Sequence, residues 1–167
     1  MIRRSRTIDD RVRALAGLLR TRGLSVTHQR LAVYRCLLED DSHPDADRLY
    51  ERVRRLVPTI SLGTVYKALD TLKQLGAVAE VGSPRSATRY EAVIDPHHHL
   101  ICVECGRIID LHEPEYSTLR PPDCAAEGFE VTSCTVQFFG RCRDCAHKQR
   151  KPRPLPRRPR VGATTGG

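Results

Sequence analysis

Two Cys-x-x-Cys pairs, Cys102-Val103-Glu104-Cys105 and Cys142-Arg143-Asp144-Cys145, constrain this chain of 167 residues more than any other feature. Each pair puts two sulfurs on one tight turn, and two such turns supply four thiolates, the full set for a closed tetrahedral zinc site. One pair alone would equally suit a redox dithiol. Two pairs favour a structural zinc with no position open for chemistry. The 36 residues between the pairs exceed the gap in compact zinc ribbons, so a folded segment has to lie between them. No run approaches the ~18 apolar residues of a membrane span, and the basic N-terminus has no apolar stretch behind it. The chain is therefore expected in the cytoplasm, where cysteines serve as thiols or metal ligands rather than disulfides. Cys36 reads as a small core residue and Cys124 as a free thiol.

Just before the first pair stands His97-His98-His99. Strand alternation puts His97 and His99 on one face and His98 on the other. Glu91 on a preceding strand, and Asp110 if the chain doubles back, would add carboxylates. Mixed nitrogen and oxygen donors suit iron, manganese, zinc or nickel better than a thiolate-only site does. A histidine run on a solvated surface is the plainer reading of the same residues. A catalytic metal centre would need a general base and an open position, and the sequence has no HExxH helix and no nucleophile motif. An enzyme is not expected.

The net charge of +8 is unevenly spread. Residues 1–90 carry 17 Lys/Arg against 10 Asp/Glu, residues 91–149 carry 5 against 10, and residues 150–167 carry 6 against none. A basic front suits a polyanion, and an acidic His- and Cys-rich back suits cations. The tail, with its prolines and terminal Gly/Thr tract, reads as disordered.

The front half repeats apolar residues at helical spacing: Ile8, Val12, Leu15 and Leu19 after Thr7; Leu31, Tyr34 and Leu37/Leu38 after Thr27; Leu49, Val53 and Leu56 after Asp45; Val65, Leu69, Leu72 and Leu75 after Ser61. Gly23 and Gly76 are stop signals. Two short strands follow, Ala77–Val81 and Ala87–Val93, around a turn at residues 82–85. Helices ending in a hairpin describe a winged helix-turn-helix. Its fourth helix would offer Ser61, Thr64, Tyr66, Lys67 and Lys73 to DNA. In the back half, residues around Ile101 and Ile108–Leu111 read as strands, Pro114–Glu127 as partly helical and Phe129–Phe139 as a strand.

The motifs Val26-Thr27-His28-Gln29-Arg30, His43-Pro44-Asp45-Ala46-Asp47, Ile60-Ser61-Leu62-Gly63-Thr64-Val65-Tyr66, Thr88-Arg89-Tyr90-Glu91, the His97–Cys105 segment and the final Cys142-x-x-Cys145 together resemble the ferric uptake regulator family of metal-dependent repressors. The resemblance covers about residues 8–148. It implies an α+β fold: an N-terminal winged helix-turn-helix over residues 1–92, a small α/β dimerisation domain over 93–149, and the tail 150–167. It implies a homodimer on double-stranded operator DNA, with no membrane partner. Cys102, Cys105, Cys142 and Cys145 match structural Zn(II) ligands. His43, Glu91, His97, His99 and Asp110 match a regulatory site for Fe(II) or Mn(II), with zinc as a further occupant. Gln29, Arg30 and Tyr66 fall in motifs near DNA. Only the resemblance assigns His43, which otherwise reads as a helix-breaking position. Within the family, Asp110 resembles the peroxide-sensing branch, whereas that branch usually has aspartate where Glu91 stands. An extra family site usually takes an acidic residue and a histidine where Ser117 and Cys134 stand here. Its loss leans toward peroxide sensing; an iron- or zinc-uptake regulator is the alternative.

Overall fold

The computed structural model describes residues 7–82, 87–95, 97–117, 119, 128–129, 131 and 134–149. Helix starts are set by side-chain caps. Thr7 Oγ1 accepts from the Asp10 amide while the Asp10 carboxylate accepts from the Thr7 amide, a reciprocal box that opens α1 (Ile8–Thr21). Thr27 caps α2 (His28–Leu38), Asp45 caps α3 (Ala46–Leu56) and Ser61 caps α4 (Leu62–Gln74) by the same kind of bond. After α1 and α4 the chain turns at Gly23 and Gly76, both at φ +67°, where a side chain would strain the backbone.

The four helices bury Leu19, Val33, Leu49, Val53, Val65, Leu69 and Leu72 almost completely. The expectation of a single apolar face on α2 is too narrow. Six of its eleven residues are buried, because α2 touches α1, α3, α4 and the hairpin at once. The hairpin pairs β1 (Val78–Val81) with β2 (Arg89–Ala92), antiparallel, with Ala79 opposite Glu91. Tyr90 and Ala92 face the helices, so Arg89 and Glu91 share the other face of β2.

Beyond the hairpin lies a second sheet. β3 (His98–Cys102) is its centre, antiparallel to β4 (Ile108–Leu111) and parallel to β5 (Gln137–Gly140). The last strand is shorter than expected, starting at Gln137 rather than Phe129. A four-residue helix α5 (Pro114–Ser117) follows β4; most of the rest of the expected helical stretch lies outside the described residues. A final helix α6 (Arg143–Gln149), which the sequence reading missed, starts within the second Cys pair, just after Cys142, and carries Cys145. The expected tail 150–167, the wing turn at 83–86 and Cys124 also lie outside the described residues. The class is α+β: a winged helical part and a small α/β part. Among the described residues, no helix is long and apolar enough to cross a membrane.

Candidate metal centres

The first centre lies at one end of the second sheet, where the parallel strands β3 and β5 both finish. Cys102 closes β3, Cys105 sits on the turn that follows, and Cys142 and Cys145 stand at the start of α6. The four sulfurs lie within 4.8 Å of one another. Cys105 Sγ and Cys142 Sγ are 3.7 Å apart, close to the ~3.8 Å that tetrahedral geometry requires for Zn–S bonds of about 2.3 Å. The Cys142 amide donates to Cys102 Sγ at 3.3 Å. That bond, with the amides of Cys105 and Glu104, brings the Cys102 thiol down to about 6, while the neighbouring thiols push Cys145 up. The Cys102 thiolate forms readily, whereas Cys145 resists until a cation joins them. The set therefore suits structural zinc. The second pair sits on a helix start, where a tight turn was expected, but its spacing serves the same end.

The second centre lies where the two parts of the chain meet. His43 comes from the loop between α2 and α3, Glu91 from β2, His97 and His99 from the segment entering β3, and Asp110 from β4 directly opposite His99. Glu91 Oε2 is 3.0 Å from His43 Nε2, 3.1 Å from His97 Nε2 and 3.0 Å from His99 Nε2. Asp110 Oδ1 is 3.0 Å from His43 Nε2 yet makes no hydrogen bond. The five donor atoms all lie within 4.8 Å of one another. Donors on a shell of about 2.1 Å are roughly 3.0–3.5 Å apart, so the spacing fits a bound divalent ion.

The electrostatics agree. Burial opposes ionisation of Glu91, but hydrogen bonds from His43 and His99 and the nearby imidazoles outweigh it and hold the carboxyl at about 2. Burial also opposes charge on His97, but its bond to the Asp95 carbonyl and the neighbouring Glu91 raise it. That 2.9 Å bond from His97 Nδ1 fixes the ring so that Nε2 faces the site. His43 and His99 are 4% and 1% exposed. Beside them a cleft of about 210 Å³, flanked by Asp40, Asp41, Asp95 and His112, reaches the cluster.

His43 carries the signal that sequence reading alone lacked. It stands at φ +51°, the only described non-glycine residue in the left-handed region, a conformation costing about 1–2 kcal/mol. That turn lets its ring leave the helical part and face the second sheet. His98 points the other way, as strand alternation required; its Nδ1 accepts from the Val136 amide and its ring meets Tyr116 edge-on. His112, whose ring lies 5.4 Å from that of His97, had no sequence signal beyond its residue type.

The residues expected at DNA lie on α2 and on α4 with its cap, and none is a member of either metal cluster. Tyr66 and Lys67 are exposed on α4. Ser61 Oγ accepts from the Thr64 amide and lies 2.9 Å from the Thr64 hydroxyl, so both side chains are already engaged at the cap. Gln29 is half-buried, and Arg30 donates to the Ser25 carbonyl.

The family profile described as ferric uptake regulator family matches residues 21–139. The chain belongs to the ferric uptake regulator family. It is 32% identical over 139 residues to the peroxide-responsive repressor PerR of Staphylococcus epidermidis, spanning 83% of this chain and 93% of that protein. The Campylobacter jejuni peroxide stress regulator superposes with a TM-score of 0.64 at 32% identity, over 78% of this chain and 98% of that one. The fold also matches the Helicobacter pylori ferric uptake regulator, with a TM-score of 0.71 at 23% identity over 87% and 97% of the two chains. This ferric uptake regulator family member is thus a metal-responsive transcriptional regulator and not an enzyme. Its four-thiol set suits structural zinc, and its mixed set suits a regulatory divalent ion of the iron, manganese and zinc series.

Proposed function

We propose that this chain is a homodimeric, peroxide-responsive repressor that binds operator DNA when Fe(II) or Mn(II) occupies the mixed site. The observation that carries this reading is the origin of the five donors: His43 and Glu91 belong to the winged part, and His97, His99 and Asp110 to the second sheet. Holding all five around one cation fixes the angle between a winged-helix domain of residues 1–92 and a dimerisation domain of 93–149. In a homodimer that angle sets the separation of two α4 helices, which has to match two half-sites on duplex DNA. Metal and DNA then raise each other's affinity. Gln29, Arg30, Ser61, Thr64, Tyr66 and Lys67 are the assigned DNA-facing residues. Cys102, Cys105, Cys142 and Cys145 are the assigned zinc ligands.

Dimerisation is supported by the outer face of the second sheet. Leu100, Ile109 and Phe138 stand side by side across its three strands and are all exposed. An apolar row of this kind favours burial against a second copy. Peroxide response is supported by the 32% identity to peroxide-responsive repressors and by Asp110. When bound, ferrous iron supplies one-electron chemistry toward peroxide. The chain's part is to surround that ion with three imidazoles, of which His43 and His99 are deeply buried, and to admit small solutes by the cleft. Glu91, in place of a second aspartate, favours the alternative of an iron- or zinc-uptake regulator.

The test is anaerobic fluorescence-anisotropy binding to DNA upstream of the chain's own gene with Fe(II), before and after a small dose of peroxide. Binding that is lost and not restored by reductant with fresh iron, together with a gain of one oxygen in the peptide carrying His43 or His97/His99, supports peroxide sensing. Iron-dependent binding that survives peroxide moves the function to an uptake regulator. Sequence-specific binding under no metal condition overturns the repressor reading.

A further inference from the structure

The left-handed backbone of His43 needs something to hold it, and the structure puts a cation against it. Arg89 Nη1 donates to the His43 carbonyl at 3.3 Å and stands 3.9 Å from Asp45 Oδ2, while the other oxygen of Asp45 caps α3. The next residue on the strand adds a backbone tie: the Tyr90 amide donates to the Pro44 carbonyl at 3.0 Å. Upstream of the turn, the Ser42 amide donates to Asp40, which is itself paired with Arg52 on α3. The turn is thus pinned on both sides of His43. The Arg89 side chain is only 20% exposed, and its Nε is buried with no partner among the described residues. A guanidinium kept out of water with one nitrogen unpaired is costly unless its other contacts matter.

The placement on β2 is the second observation. Arg89 and Glu91 lie on the same face of one strand, two residues apart. A single strand face therefore supplies one ligand directly and holds the backbone of another. β2 is also the returning strand of the wing, so any shift of the wing moves the Arg89 clamp and Glu91 together.

We propose that Arg89 is a positioning residue that locks the His43 turn in its metal-competent conformation, so that the wing strand sets the affinity of the mixed site through His43 as well as through Glu91. The inference rests on the regulatory-metal reading. Residues that orient a metal ligand change affinity by about 10–100-fold when removed.

The experiment is titration of Co(II) and Mn(II) into the zinc-loaded full chain, with Co(II) absorption reporting ligand geometry. Wild type is compared with Arg89→Met, Arg89→Lys and His43→Ala. Arg89→Met is expected to weaken Co(II) and Mn(II) binding about 10–100-fold and to alter the Co(II) spectrum, with zinc content unchanged. Arg89→Lys, which still reaches the carbonyl with an ammonium, is expected to recover most of the affinity. A merely structural role would lower the melting temperature in both variants without this pattern in the spectrum. Metal affinity of Arg89→Met within two-fold of wild type overturns the proposal. Should Arg89→Met not fold, Arg89→Gln takes its place with the same two outcomes. If wild type takes up no Co(II) beyond its zinc site, the regulatory-metal reading itself fails. If wild type binds, His43→Ala does not, and Arg89→Met matches wild type, only the positioning role fails.

Discussion

His43 joins the two parts of the molecule through one nitrogen atom. Coupling between an effector and DNA is typically worth 1–3 kcal/mol, about 5–150-fold in affinity. In His43→Ala that factor is expected to vanish. DNA binding should become the same with and without Mn(II), while the dimer and its zinc persist, as read by anisotropy and sedimentation. The titration of the cluster gives a second expectation. The Glu91 carboxyl is held at about 2, so its contribution to stability is present above the ordinary carboxylate value near ~4.3 and is lost as pH falls toward that folded value. His97 is raised, so its imidazolium contributes fully below about 6.5, and the contribution is lost as pH rises through the raised value. The metal-free protein is thus favoured by this pair between those limits. Metal binding needs the neutral ring and runs the opposite way. Mn(II) affinity should climb from about pH 6 to pH 8 with proton release, measured by calorimetry in two buffers of different ionisation enthalpy. A flat affinity across that range would show that His97 does not ligate. At this scale the sequence was half legible. Alternation alone paired His97 with His99 and set His98 apart. The position of His43 was hidden, because a left-handed residue before proline has no signature in hydrophobic period; only the family motif marked it.

At the scale of elements, the N-caps did most to make the fold readable. Thr7, Thr27, Asp45 and Ser61 were each followed by an apolar period, and each begins a helix. What failed to show was α6, because a Cys-x-x-Cys pair reads as a turn whether or not a helix continues from it. β5 also shrank, since alternation in Phe129–Phe139 continues beyond the segment that finds a partner in β3. Asp45 serves two elements, capping α3 and facing Arg89. Asp45→Ala is expected to cost about 1 kcal/mol in urea melts, and Asp45→Asn only a few tenths, because asparagine caps as well. Equal losses in the two variants would shift the weight from the cap to the ion pair with Arg89.

Among the described residues there is one substantial apolar core, and its buried members lie between Leu15 and Ala92. Beyond residue 92 the described buried apolar and thiol residues are Ile101, Cys102 and Cys145. A sheet with so few described buried residues gains from a staple, and the four sulfurs provide one that closes the chain from Cys102 to Cys145. Structural zinc in small domains is worth on the order of 10 kcal/mol. Removing it by chelation, or by Cys142→Ser, should abolish the second sheet and with it Mn(II) binding, while the helical part keeps its own melting transition. Circular dichroism against zinc content checks this. Retention of strand signal in zinc-free protein would count against it. A second expectation concerns the apolar row. Phe138→Glu should give monomers by sedimentation and weaken operator binding, with Mn(II) affinity per chain preserved.

Strand β3 also dictates which length changes the chain can survive. His99 faces the metal cluster and Leu100 faces away, and the four-residue pairings on both flanks keep this alternation in step with β4 and β5. Deleting or inserting a single residue between His97 and Cys102 turns every later side chain to the opposite face. It would exchange ligand for apolar contact and pull the first thiol pair out of reach of the second. Between β4 and β5 the described residues take part in no strand pairing, and loop closure grows only slowly with length. Length variation in relatives of this chain should therefore collect between β4 and β5, while the segment from His97 to Cys105 keeps a fixed count of residues.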